Sequence, residues 1–102
     1  MSQQNDWRGT VEAVRRAATA RGRAASGYFS IEGLRLHERA VHAGWQVEAA
    51  IISQSLHGDD SPRIQTLMQD LEAGGCRLVP VPDPVVADLT EGRDLGALIG
   101  LL

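Results

Sequence analysis

The sequence predicts an α/β fold in which a small, mostly parallel sheet of four strands lies between two layers of helices. Short apolar runs of strand length alternate along the chain with segments of helical periodicity. The 102 residues suffice for one hydrophobic core but are marginal for two. Strands that alternate with helices are typical of a parallel sheet covered on both faces. We therefore expect one three-layer α/β/α sandwich domain over residues 1–102, with residues 1–6 disordered.

The first half of the chain predicts two helices and two strands. Apolar residues spaced by three and four from Trp7 to Ala18 indicate a helix over residues 7–21. The small, basic segment 21–27 is typical of a loop, and the β-branched and aromatic run 28–31 of a strand. A second helix over residues 34–43 ends at Gly44. The nearly unbroken apolar run 47–52 predicts a strand buried on both faces.

The second half of the chain contains the clearest helix. Ser61 is expected as its N-cap and Pro62 as its first residue, and an apolar stripe runs to Leu71 before a Gly74-Gly75 stop. The next strand, around residues 78–81, contains Pro80, which favours a sheet edge or a bulge. A short helix from Asp83 to Leu89 and a final strand over residues 97–102 complete the fold. Residues 54–60 are expected to form a flexible loop.

The net charge of −3 conceals an uneven distribution. Residues 1–39 contain seven arginines and four acidic residues, a balance of +3, whereas residues 40–102 contain three arginines and nine acidic residues, a balance of −6. Clustered cations are what a surface that contacts phosphate groups requires. No apolar run is long enough to cross a membrane, and the polar N-terminus lacks the apolar core of a signal peptide. We therefore expect a cytoplasmic protein without a membrane partner.

The sequence contains no recognisable catalytic or metal-binding constellation. His37 and His42 are five residues apart, about 140° around a helix axis, which cannot form a metal clamp. We expect His37 at the boundary of the core. His57 lies beside two aspartates in a segment more typical of a solvated turn than of a cation site. The one cysteine, Cys76, is expected to be a buried structural thiol. We therefore predict neither catalytic nor metal-ligating residues in this chain.

The segment from Arg21 to Ser53 carries the functional signal. It contains Arg-Gly-Arg, a spacer of small residues, the motif Phe29-x-x-Glu32-Gly33, an amphipathic helix, and an apolar strand that ends at Ser53. This succession resembles the N-terminal substrate-binding domain of the SpoU/TrmH family of RNA 2′-O-ribose methyltransferases. The match is close over about thirty residues and looser, but in order, to the end of the chain. Two positions depart from the family pattern: His37 is commonly aliphatic, and Asp94-Leu95-Gly96 replaces a Pro-Gln-Gly-like turn.

The resemblance implies a three-layer fold related to ribosomal proteins that bind kinked RNA. The partner that it implies is structured RNA, either rRNA or tRNA. In the family, a knotted second domain follows, binds S-adenosylmethionine and usually dimerises, so a homodimer is one expected form. The glycine-rich cofactor loops and the catalytic arginine of that domain are absent from this sequence. The resemblance therefore implies substrate recognition without a cofactor and without methyl transfer in this chain, whether as part of a longer enzyme or as a stand-alone relative.

Five residues are the candidates for RNA contact. Arg21 and Arg23 are expected in a loop, where two close cations favour phosphate contact. Arg35 follows the Glu32-Gly33 turn and could extend the same surface. Two roles stay open for Glu32 and Gly33, which either shape the strand-to-helix turn or contact RNA directly.

The aromatic residues of this segment are expected to serve mainly the interior. One of Tyr28 and Phe29 is expected to face the core, although an exposed aromatic ring here could stack on a base. Trp45 is expected to join the second helix to the next strand. The alternative to an RNA-binding domain is a protein-interaction or scaffold domain of the same fold, whose acidic second part has acquired another partner.

Overall fold

The computed structural model describes residues 7–91 and 97–102. The helices are α1 (Trp7–Ala17), α2 (Ala20–Ser26), α3 (Leu34–His42), α4 (Gln54–His57), α5 (Pro62–Ala73) and α6 (Asp83–Leu89). The strands are β1 (Ser30–Glu32), β2 (Ala49–Ser53), β3 (Arg77–Val81) and β4 (Leu98–Leu101). The predicted α/β class and four-stranded sheet are confirmed. The expectations for residues 1–6 and for the Asp94–Gly96 turn lie outside the described residues.

The sheet is mixed, so the prediction of a mostly parallel sheet was wrong. Its strand order is β1-β4-β2-β3. Among the described strands only the β2–β3 pair is parallel, and β4 runs antiparallel to both of its neighbours, β1 and β2. The strand at the end of the chain is thus inserted in the middle of the sheet.

The direction of β4 follows from where the chain enters it. Ala97 accepts a hydrogen bond from the amide of Ser53, the last residue of β2, and Leu98 pairs with Ile52. The chain therefore enters β4 at the edge of the sheet where β2 ends. The seven-residue helix α6 does not return the chain to the opposite edge, as the longer α5 does between β2 and β3. Alternation of helices and strands predicts parallel neighbours only where the intervening helix crosses the sheet.

Two hydrophobic clusters cover the two faces of the sheet. Ile51 belongs to the cluster formed with α1 and α6, which includes Val14 and Val86. Ala50 and Ile52 point the other way, into the cluster formed with α3 and α5. This alternation along a strand whose five residues are all buried is the period of two expected for extended backbone. The prediction that β2 is buried on both faces is therefore confirmed.

Two short helices replace predicted loops or turns. The first helix, expected over residues 7–21, ends at Ala17, and residues 20–26, most of them in the segment 21–27 expected as a loop, form α2. Residues 54–57, in the expected loop 54–60, form the single turn α4. In α4, the hydroxyl of Ser53 accepts a hydrogen bond from the amide of Leu56 at 3.1 Å, so the serine that ends β2 also caps the next helix.

The sequence signals at α5 and β3 are confirmed. Ser61 is the N-cap of α5 with a proline at the start of the helix, although its side chain makes no cap hydrogen bond. Pro80 lies on β3, which is an edge strand. No helix among residues 7–91 and 97–102 is both long and apolar enough to span a membrane.

Candidate nucleic-acid interface

Helix α2 carries two of the predicted contact residues, Arg21 and Arg23. The hydroxyl of Thr19 caps the helix by accepting a hydrogen bond from the amide of Gly22 at 3.0 Å. Gly27 ends it in the left-handed region, with φ of 77°, and donates its amide to the carbonyl of Arg23. No residue of α2 is buried, so this helix is not stabilised by packing an apolar face against the core.

A close backbone contact holds α2 against the end of α1. A Cβ atom placed on Gly22 would lie 1.9 Å from the carbonyl oxygen of Arg16, so only glycine permits this approach. The guanidinium of Arg23 donates a hydrogen bond to the carbonyl of Ala17, the last residue of α1, at 3.2 Å. The expectation that both arginines lie in a loop was therefore wrong. Arg23 also helps to hold its own helix in place.

The structure brings Arg23 and Glu32 into one cleft. The cleft has a volume of about 600 Å³ and is lined by Arg23, Phe29, Ser30, Glu32 and the small residues Ala17 and Ala18. It places a cation, an aromatic ring and a carboxylate around one space, between α2 and β1. Arg21 and Arg35, the other two predicted cations, do not line it.

Gly33 has a structural role at the start of α3. It adopts a φ of 97°, which a residue with a side chain rarely takes, and it is the N-cap of the helix. Its amide donates to the carbonyl of Leu98 at 2.8 Å. Its own carbonyl accepts a hydrogen bond from the imidazole Nδ1 of His37 at 2.7 Å. Since Gly33 is buried, the structure supports the turn-forming role for this residue. Arg35, two residues later, is exposed on the first turn of α3.

His37 is completely buried, so its placement at the boundary of the core was wrong. A Cβ atom on Gly100 of β4 would lie 2.4 Å from its Nε2 atom, which shows how closely the ring packs on that strand. Among the described residues, Nε2 has no hydrogen-bond partner. Burial lowers the pKa of His37, while the hydrogen bond to Gly33 acts in the opposite sense. His37 is thus a neutral core residue that fixes the Glu32–Gly33 turn against α3.

Sequence reasoning missed an exposed aromatic groove on the other side of Phe29. Phe29 and Trp45 are 41% and 57% exposed, and their rings meet edge to face with centroids 6.5 Å apart. Tyr28 is also 38% exposed, so neither member of the 28–29 pair faces the core. The ring of Trp45, expected to join α3 to β2, is largely exposed. The sequence could not reveal this because the same aromatic residues would serve equally well as core.

The described residues contain no cluster of metal-ligating side chains, and their one thiol is buried. No three histidine, cysteine, aspartate or glutamate side chains lie close enough to hold a metal ion within residues 7–91 and 97–102. Cys76 is buried, as expected, and burial raises the pKa of its thiol to about 11. Ser55 hydrogen-bonds through both its hydroxyl and its amide to Asp83, which lowers the pKa of that carboxyl group. This pair joins α4 to the start of α6.

Known proteins match most of this chain. Residues 9–94 match the family described as the MRM3-like substrate binding domain. No curated protein sequence matches significantly. An rRNA methyltransferase from Sinorhizobium meliloti has a similar structure, with a TM-score of 0.71 and 19% identity over 92% of this chain and 33% of its own. The AdoMet-bound form matches with a TM-score of 0.69 and 20% identity, over 99% of this chain and 34% of its own.

A third solved structure has a higher sequence identity to this chain than these two. It is an RNA 2′-O ribose methyltransferase, with a TM-score of 0.67 and 27% identity over 92% of this chain and 34% of its own. The chain therefore spans about a third of the length of each solved structure that it resembles.

Proposed function

The chain belongs to the family of MRM3-like substrate binding domains, and we propose that it binds structured RNA, rRNA or tRNA, for a ribose 2′-O-methyltransferase. The observation that carries this proposal is the cleft that joins Arg23 to Glu32. Both residues belong to the motif region through which the sequence resembles the RNA methyltransferases. The cleft offers a cation for phosphate and a ring for stacking.

The charges of the site suit a polyanion. Three arginines form ion pairs with described carboxylates, namely Arg15, Arg16 and Arg63. Within residues 7–91 and 97–102, Arg21, Arg23 and Arg35 form none. Because the capped helix α2 is held against α1, the backbone that carries two of these cations is fixed before RNA arrives, which reduces the entropic cost of binding.

We further propose that methyl transfer and S-adenosylmethionine binding belong to a part of the enzyme other than these residues. The apolar cleft beside Phe29 and Trp45 has Arg39 as its one charged residue, and this cation would oppose the positive sulfonium of the cofactor. This charge argues against the cofactor's sulfonium in that cleft. Calorimetric titration of the chain with the cofactor is expected to show no stoichiometric binding. A homodimer stays a prediction from the family's second domain.

The salt dependence of RNA affinity tests the proposed interface. We expect the double variant Arg21→Ala/Arg35→Ala to bind a structured RNA more weakly than the wild type. The slope of log affinity against log salt should become shallower by about 0.7–0.9 for each phosphate that the variant no longer neutralises. Arg23 is left in place because its hydrogen bond to Ala17 also holds α2. The matched control is Arg63→Ala, which removes one positive charge from α5.

The outcomes separate a site from diffuse attraction. A similar decrease in affinity per charge in the control would mean that RNA responds to net charge alone and that no interface exists at Arg21 and Arg35. A wild-type chain with no measurable affinity for any hairpin or internally looped RNA at low salt would refute the RNA-binding proposal. That result would favour the scaffold alternative.

A further inference from the structure

The exposed rings of Phe29 and Trp45 lie at one end of the sheet. Phe29 directly precedes β1, and its backbone exchanges two hydrogen bonds with Leu102, while Trp45 follows α3. Their ring planes are at 87° to one another. Two large aromatic side chains that touch each other form a contiguous apolar patch, which is unfavourable in water. Such an exposed patch indicates a binding surface for a ligand or a partner molecule.

The two rings border an apolar groove that adjoins the RNA cleft. The groove has a volume of about 360 Å³, and its lining includes Phe29, Leu36, Arg39, Trp45 and Leu102. Phe29 also lines the cleft that contains Arg23 and Glu32. The cleft and the groove thus share this ring as a common wall. A ligand that extends from one to the other would pass over Phe29 between Arg23 and Arg39.

Charge complementarity identifies the class of ligand. Arg39 is the one charged residue of the groove lining, no acidic residue lines it, and Arg39 forms no ion pair with a described residue. Aromatic rings flanked by arginines suit unpaired nucleotides, because each base stacks on a ring while the cations contact phosphates. An apolar protein segment would gain nothing from the two flanking cations.

We propose that Phe29 and Trp45 form a stacking surface for two unpaired bases of the RNA, flanked by Arg23 and Arg39. This inference rests on the proposed RNA-binding function and adds the form of RNA that the domain selects. Bases stacked on two nearly perpendicular rings cannot stack on each other. The surface therefore favours a loop or bulge whose bases are splayed apart, and it disfavours a continuous duplex.

Tryptophan fluorescence offers a direct test. In a Trp7→Phe background, Trp45 is the one tryptophan, since the sequence contains two. We expect a hairpin with an unpaired loop to quench its emission, and a blunt duplex of equal length to cause much less quenching at equal occupancy. Labelled-RNA anisotropy would measure occupancy independently of the tryptophan.

Substitutions test the contribution of each ring to affinity. Phe29→Leu and Trp45→Leu keep an apolar side chain but remove the stacking surface, and each should weaken hairpin binding by roughly 5- to 100-fold, as expected for one stacked base. Affinity for the duplex should change little. The matched control is Tyr28→Leu, because Tyr28 is similarly exposed but lines a separate cleft with Glu48 and Arg77. Melting temperatures would show that the variants are folded.

Each outcome bears on a different part of the proposal. Hairpin binding without quenching, together with unchanged affinity in both leucine variants, would overturn the stacking surface and leave the proposed function standing. No RNA binding by the wild type would remove both. Sedimentation that shows a dimer dissociated by Trp45→Leu would assign the groove to a second copy of the chain and overturn the inference.

Discussion

His37 and Gly100 share one space in the interior. The ring of His37 is fully buried, and its Nε2 atom lies 2.4 Å from the position that a Cβ atom on residue 100 would take. The hydrogen bond from Nδ1 to the carbonyl of Gly33 sets the tautomer, which leaves Nε2 as a bare acceptor. Gly100, in the inner strand β4, thus leaves room for the histidine at position 37. In the family that the sequence resembles, position 37 is commonly aliphatic.

This burial predicts that stability decreases in mild acid. The pKa of His37 is lowered in the folded state from its ordinary value of 6.5, so the unfolded chain binds a proton that the folded chain does not. The stabilisation is fully present above pH 6.5 and decreases as the pH falls below it. The free energy of unfolding should fall by up to about 1.4 kcal/mol per pH unit. Denaturant titrations between pH 7.5 and 5.5 would measure this.

The variant His37→Leu isolates the contribution of this residue. We expect it to remove most of the pH dependence in this interval, because the carboxyl group of Asp83, whose pKa is lowered, titrates in more acidic solution. An unchanged slope in the variant would show that another group is responsible.

Helix α2 depends on a single glycine. Gly22→Ala would place a methyl group against the backbone of Arg16, which cannot move aside as a flexible side chain can. We expect α2 to shift away from α1, which would break the hydrogen bond from Arg23 to Ala17 and weaken RNA binding. Anisotropy titrations and thermal melting would measure the two effects.

The matched control for this change is Gly9→Ala on α1. A Cβ atom there meets nothing within 4 Å. Alanine should therefore raise stability by up to about 1 kcal/mol through helix propensity alone. RNA affinity that survives Gly22→Ala would show that α2 does not contribute to the interface.

The two cores belong to one cooperative unit. Consecutive residues of β2 point into opposite clusters, so neither cluster can lose its strand without exposing the other. We expect a single unfolding transition, with the same midpoint by tryptophan fluorescence and by far-ultraviolet circular dichroism. Separate midpoints for the two signals would indicate that one helix layer unfolds on its own.

The sequence alone determined the elements that carry a periodic apolar pattern. Helices α3, α5 and α6 and all four strands lie close to the predicted ranges, and α1 begins as predicted but ends four residues early, at Ala17. The edge position of Pro80 and the burial of Cys76 were also predicted. For the candidate site, the sequence singled out Arg23 and Glu32, which line the cleft, and also Arg21, which does not. These features could be predicted because hydrophobic spacing, proline and glycine act within a short segment.

Only the tertiary structure decided the features that depend on residues distant in sequence. The antiparallel insertion of β4 follows from the short path through α6. Helix α2 has no buried face and is held by one backbone approach to α1. The burial of His37 depends on the space left by Gly100 on β4. Phe29 and Trp45 are exposed because no other segment of the described chain packs over their rings. Local pattern specifies that a residue is apolar or helical, but packing between segments decides what it contacts and which face stays open to a partner.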